Sequence, residues 1–232
     1  TGHVMRCLAL ADAITQKGGS CTFICREHPG NLIQLVLGRG HQVYPLSVPL
    51  ESTTSKSSDV DAVTHAAWLG NTQEKDAVEV SIILAKIRPT WLIVDHYAID
   101  ARWEKCVRPY TSRLMVIDDL SDRNHYCDLL LDQTFGRDPK DYYEQVPAFC
   151  QLLCGSEYAL LRPEFLEWQK YSHERRQGCK VEHLLINLGG ADKYNVTARV
   201  LRALKICDLP SHLAITVIMG AAAPWVESVR YE

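Results

Sequence analysis

The chain contains no apolar run approaching the ~20 residues that a membrane-spanning helix needs, and nothing in it reads as a membrane partner. It has no Cys-x-x-Cys pair and no Cys/His cluster with zinc-finger spacing, although it carries 9 cysteines. An odd count argues against a closed disulfide framework. Several thiols also sit in apolar stretches, such as Cys21 and Cys25 in CTFIC and Cys150 and Cys154 in FCQLLC. The expectation is reduced, buried thiols acting as small hydrophobes, a cytoplasmic setting, and no metal or cofactor. Net charge is also scarce, at -3, so no broad field invites nucleic acid or an anionic membrane. Neither GxGxxG nor a phosphate-binding loop with its Lys-Ser/Thr occurs. No methionine and no strand precede Thr1-Gly2-His3. The chain therefore reads as a piece of a larger protein that opens inside a glycine loop at its own site.

Hydrophobic content of 47% with 23% charge suits a globular protein with a sizeable core. Val4, Leu8, Ala11 and Ile14 form an apolar helical face that ends at Gly18-Gly19. CTFICR and HQVYPL read as strands, with a helix over residues 31–37 between them. Residues 47–58 form a Ser/Thr-rich excursion, and residues 61–69 and 73–87 read as helices, the second stopped by Pro89. TWLIVDHY, RLMVIDD, CDLLLDQ and FCQLLCG are apolar runs without alternation, the pattern of parallel strands covered on both faces. Residues 161–168 read as a crossing helix. A polar stretch follows, and then the pattern restarts with HLLINLGG, a helix over 195–206, LAITVIMG and a helix start over 224–230. The expected organisation is a Rossmann-like domain over residues 1–170 that lacks its first strand. A linker over 171–181 and an incomplete second Rossmann-like domain over 182–232 follow it.

Open parallel sheets bind ligands at the carboxyl ends of their strands, which points to a short list of residues. His3, beside Gly2, is either a general base or a residue that braces the helix start. Asp95, His96 and Tyr97 follow a strand and suit the hydroxyls of a sugar, although Asp also caps helices. Asp118 and Asp119 read as caps; Asp95 and Asp119 as a metal pair is a weaker alternative. Gly189-Gly190 ends a strand before a helix, so its backbone can approach a phosphate whose charge the helix N-terminus favours. Asn195 reads as the cap of that helix or as a ligand contact. Trp225, after Gly220, either stacks on a base or anchors the helix that follows.

Several segments together resemble one family. GHVMRCLALADA, FICREHPGNL, WLIVDHYAID, VIDDLSDRNHYCDLLLDQ, YALLRPEF, LLINLGGADKYNVT and ITVIMGAAAPW occur in the order found in the UDP-2,4-diacetamido-2,4,6-trideoxy-β-L-altropyranose hydrolases of pseudaminic acid synthesis. DHYAID, and LLLDQ with YALLRPEF, are the most particular of these; LLINLGG is shared with many glycosyltransferases. The resemblance implies a GT-B fold of two doubly wound α/β domains related to the MurG glycosyltransferases, with UDP-sugar in the interdomain cleft. It implies metal-independent, inverting hydrolysis at the anomeric carbon. In that pattern His3 is the base, Tyr97 a cleft residue near the sugar, and Gly189-Gly190 the pyrophosphate loop. Gly2, Asp95, His96, Asn195, Gly220 and Trp225 complete the candidate substrate-binding set. The partner expected is a small-molecule UDP-sugar, bound by a monomer or weak oligomer. Alternatives are a UDP-sugar glycosyltransferase of the same fold, since fold does not fix function, and a non-catalytic nucleotide-sugar-binding remnant.

Overall fold

A computed structural model describes residues 2–49, 65–178, 181–220 and 223–232. The chain divides into two compact units, Thr1–Pro163 and Glu164–Glu232.

In the first unit, α1 (Gly2–Gln16) precedes a parallel pair, β1 (Thr22–Arg26) and β2 (Gln42–Leu46), joined through α2 (Ile33–Gly38). A second parallel sheet holds β3 (Trp91–Val94), β4 (Arg113–Ile117), β5 (Leu129–Asp132) and β6 (Gln151–Cys154), in sequence order. The parallel strands of the domain expected over residues 1–170 thus fall into two sheets among the described residues, β1 with β2 and β3 through β6. The excursion over 47–58 and the start of the helix expected over 61–69 lie largely outside the described residues. What remains of that helix is one 3-10 turn, Ala66–Leu69.

Local chemistry explains the helix limits. α3 (Gln73–Ile87) starts where Thr72 Oγ1 accepts from the Lys75 N–H, with Glu74 and Asp76 in its first turn. It stops at Arg88, whose φ is 43°, before Pro89. α4 (Ala101–Val107) starts at Asp100, whose carboxylate accepts from the Arg102 N–H at 2.8 Å.

The four-stranded sheet is covered on both faces. On one face Val94, Leu114, Val116, Leu130 and Cys154 pack with Ala77, Val80 and Leu84 of α3 and with Trp103 and Val107 of α4. Ile24 and Leu46 of the strand pair join that core. On the other face Met115, Ile117 and Leu131 meet Cys7 and Leu10 of α1. Each fully buried aliphatic side chain here contributes about 1.5–3 kcal/mol. Two-faced burial is the physical reason that these strands read as continuous apolar runs, and it brings the start of α1 to the carboxyl ends of β3 and β4.

In the second unit, β7 (His183–Ile186) pairs in parallel with β8 (Ala214–Val217). α7 (Val196–Lys205) connects them, and α8 (Val226–Arg230) follows β8. α5 (Pro163–Glu167) and α6 (Gln169–Arg176) precede this pair and bury no residue. Most of the polar stretch taken as a linker is therefore helical. Its residues 179–180 lie outside the described set. Cysteines among the described residues are free, and only some are buried: Cys106 and Cys207 are exposed, which corrects the expectation for those two.

Candidate functional site

The carboxyl ends of β3 and β4 and the first turns of α1 converge on one charged cluster. His3, Arg6 and Cys7 share a face of α1, since residues three and four apart are neighbours on a helix. Asp95 leaves the end of β3 and meets all three. Its Oδ1 lies 2.5 Å from His3 Nδ1 and accepts from Arg6 Nη2 at 2.6 Å; its Oδ2 accepts from Arg6 Nε at 2.7 Å. Cys7 Sγ lies 3.4 Å from Oδ2. Arg6 reaches onward through Nη1 to Asp119 Oδ2, at 2.8 Å. The guanidinium thus forks onto one carboxylate and bridges to the next, a geometry matched to its planar donors.

This arrangement fixes the electrostatics. The Asp95 side chain is 3% exposed. Burial pushes its carboxyl up, but the bonds from Arg6 and His3 outweigh burial and hold it below the usual carboxylate range. It is therefore an anion that accepts a proton-bearing Nδ1. Arg6 Nη2 also approaches His3 Nδ1, at 3.3 Å. Nδ1 can either donate to the carboxylate or accept from the guanidinium, and the shorter contact to the carboxylate assigns the proton to Nδ1. Nε2 then carries the free lone pair on a side chain that is 31% exposed.

Tyr97 closes one side. Its ring meets His3 edge-on, with centroids 4.5 Å apart, and its hydroxyl bonds to Asp119. Burial and the Asp119 carboxylate push that phenol up to about 12, so it stays protonated and donates. His65 and Trp68, from the 3-10 turn, extend the aromatic surface to 5.5 and 6.0 Å from the Tyr97 ring.

The remaining strand-end residues differ from expectation in specific ways. The His96 Nδ1 accepts from the Ala98 N–H at 3.0 Å, bracing the turn after β3. Burial and the nearby His3 push its imidazole down to about 4. Asp118 and Asp119 cap no helix. Asp118 is fully buried and accepts from Tyr142 Oη at 2.8 Å and from the Ser121 N–H, while Asp119 takes Arg6. Asp95 and Asp119, considered as a metal pair, are instead joined by a guanidinium. Among the described residues no group of three His, Cys, Asp or Glu side chains gathers as a metal site. Gly2 is a residue of α1 rather than part of a turn, and the space beside it is open.

In the second unit the glycine turn follows β7. Gly189 has φ 86° and its N–H is taken by Asn187 Oδ1. Gly220, after β8, donates its N–H to the Gly190 carbonyl at 3.0 Å, and a Cβ there would sit 2.3 Å from that oxygen. Gly220 thus allows the two strand ends to touch. Asn195 occupies the N-cap position of α7 in the left-handed region, φ 51°, yet its side chain makes no cap bond. Asp192 caps instead, accepting from the Val196 and Thr197 N–H groups at 2.9 and 2.8 Å. Those helix-terminal donors, offered to a phosphate by the sequence pattern, already serve a carboxylate. Trp225 Nε1 donates to the Lys193 carbonyl, which favours the anchoring alternative for that ring.

Sequence reasoning missed Arg6, His65 and Trp68. Arg6 carried a legible signal, its three-residue spacing from His3 on a helix; the other two carried none.

No family model matches the chain. Over 139 residues it is 29% identical to the UDP-2,4-diacetamido-2,4,6-trideoxy-beta-L-altropyranose hydrolase of Campylobacter jejuni, covering 60% of this chain and 47% of that protein. Over 140 residues it is 26% identical to the uncharacterized protein MJ1062 of Methanocaldococcus jannaschii, covering 59% of this chain and 28% of that protein. The chain thus spans less than half the length of these curated relatives. Among the described residues no helix is long and apolar enough to cross a membrane.

Proposed function

We propose that this chain belongs to a nucleotide-sugar hydrolase that acts on a UDP-linked 2,4-diacetamido-2,4,6-trideoxyhexose. The observation that carries the reading is the His3–Asp95 pair, oriented by Arg6 at the carboxyl end of β3. Similarity to a hydrolase of such a substrate supports the substrate class. The finer fold reading, two Rossmann-like domains of the GT-B kind, belongs to the same proposal.

In this mechanism His3 Nε2 takes a proton from water while the water oxygen attacks the anomeric carbon. The bond from that carbon to the UDP oxygen breaks, and UDP leaves with the bonding pair. Attack opposite the leaving group inverts the centre. Asp95 holds the imidazole in the Nδ1–H tautomer and stabilises the imidazolium that forms; a positioned base of this kind typically contributes ~10²–10⁴-fold. UDP is a good leaving group, so acid assistance matters little. Within the second unit, the Gly189-Gly190 turn, with Gly220 against it, is assigned to the pyrophosphate. No residue is assigned to a metal.

The test is His3→Gln. The reading expects kcat for UDP release to fall by at least ~10² with UDP-sugar binding near wild type, and the acid limb of the kcat profile to disappear. Retained turnover with lost thermal stability removes His3 from the chemistry and leaves it a bracing residue. Carrying out the reaction in ¹⁸O-water separates hydrolysis from transfer, because hydrolysis alone puts the label on the released sugar.

A further inference from the structure

We infer that Trp68, with His65 and Tyr97, forms the wall against which the sugar ring lies, and that Trp68 is a specificity-determining residue that reads the apolar substituents of that sugar. The inference rests on the nucleotide-sugar reading above and names which part of the substrate this wall contacts.

The first observation is continuity. Ring centroids run from Trp68 to His65 at 4.4 Å, from His65 to Tyr97 at 5.5 Å, and from Tyr97 to His3 at 4.5 Å. The train of rings gives a pyranose that receives water from His3 a continuous aromatic surface to lie against. The second is the contrast between neighbours on one short turn. Leu69 is 6% exposed and belongs to the main core, whereas the adjacent Trp68 is 55% exposed. Trp68 thus leaves a large aromatic surface open beside a charged site, on a turn whose next residue is buried.

The turn is also held in place. Gly70 ends it with φ 69°, a conformation that favours glycine. A Cβ on Gly70 would stand 2.4 Å from the His28 ring, so the backbone here is seated against the end of β1. The Trp68 ring is therefore presented by an anchored element, with its apolar face available to a ligand.

Chemistry then selects the ligand's edge. An indole face accepts C–H and methyl groups and offers no partner to a hydroxyl. A hydroxyl set against it loses water without gaining a partner. A 2,4-diacetamido-2,4,6-trideoxyhexose presents a C6 methyl and two acetyl methyls. A sugar with a C6 hydroxymethyl group presents the polar group this wall cannot satisfy.

The experiment compares wild type, Trp68→Ala and Trp68→Phe with two probes, UDP-2,4-diacetamido-2,4,6-trideoxyhexose and UDP-N-acetylglucosamine. Steady-state UDP release and the Kd by calorimetry are both measured on the full chain. Wild type is expected to prefer the trideoxy sugar. Trp68→Ala is expected to raise its KM and Kd about tenfold, the loss falling on KM rather than kcat, with Trp68→Phe recovering most of it. Affinity for UDP-N-acetylglucosamine is expected to change less than threefold, so the discrimination narrows. Unchanged KM and Kd for the trideoxy sugar in Trp68→Ala overturn the inference while leaving the hydrolase reading intact, and assign Trp68 to covering His65. Equal losses for both probes also overturn it, because the wall then reads no substituent. Trp68-dependent binding without any UDP release supports the inference and overturns the hydrolase reading. Absence of binding by wild type overturns both.

Discussion

Asp95→Asn tests the link between geometry and chemistry most directly. The substitution keeps the size of the side chain and removes one acceptor. In wild type, Asp95 Oδ1 faces His3 Nδ1 and Arg6 Nη2, while Oδ2 faces Arg6 Nε. An asparagine must place its NH₂ on one side or the other. Placed at the Oδ2 position, it opposes the Arg6 Nε–H, donor against donor, and loosens the guanidinium. Placed at the Oδ1 position, it donates to His3 Nδ1 and drives the ring proton to Nε2, where no lone pair remains for water. Either outcome loses at least one charge-assisted hydrogen bond, about 1.5–3 kcal/mol in a buried setting. The catalytic loss follows the tautomer. Removing an effective base is expected to lower kcat by ~10²–10⁴, equivalent to about 3–5 kcal/mol in the barrier. The assay pairs the initial rate of UDP release with urea unfolding of the same preparation. Stability falls by a few kcal/mol at most, while kcat falls by at least two decades. If kcat stays within threefold of wild type while NMR of the variant shows the His3 ring proton moved to Nε2, the dyad is structural and the mechanism fails.

Further expectations follow from other parts of the molecule. His96 is neutral when folded, with its imidazole pushed down to about 4 from 6.5. As pH falls through that window the unfolded chain binds a proton that the folded chain refuses. Stability is therefore full above 6.5 and declines by about 3 kcal/mol toward pH 4. In His96→Asn, which keeps an acceptor for the Ala98 N–H, urea midpoints against pH should show a shallower decline; identical slopes refute the role. Asp192→Ala removes two bonds to the start of α7 and is expected to cost ~0.5–2 kcal/mol, whereas Asn195→Gly, at a left-handed position without a cap bond, is expected to be neutral or stabilising in the same unfolding assay. Gly220→Ala drives a methyl into the Gly190 carbonyl and is expected to weaken UDP affinity at least tenfold by calorimetry; unchanged affinity removes the Gly189-Gly190 turn from the pyrophosphate assignment.

The sequence by itself determined the strands and most helix limits. Burial on both faces leaves an unbroken apolar run in the chain, and the runs TWLIV, RLMVI, DLLLD and CQLLC became β3 to β6. The limits of α3 were legible because Thr72 and Pro89 act on their own neighbours. Strand-end polarity likewise singled out Asp95, His96 and Tyr97. What those residues touch was decided only by the tertiary structure. His3 meets Asp95 across 92 residues and Arg6 meets Asp119 across 113, contacts that no local period encodes. The same distance effect reassigned Asp118 from a cap to a buried partner of Tyr142 and Asp119 from a cap to a partner of Arg6, and made His96 a turn brace beside two site residues. Asp192 took the cap from Asn195 because hydrogen-bond geometry depends on backbone angles that the residue type merely permits. The separation of β1 and β2 from the four-stranded sheet, and the meeting of Trp68 with Tyr97, arise from how separate elements pack. A chain writes its local periods into its residues, but partners distant in sequence are chosen by the core that brings them together.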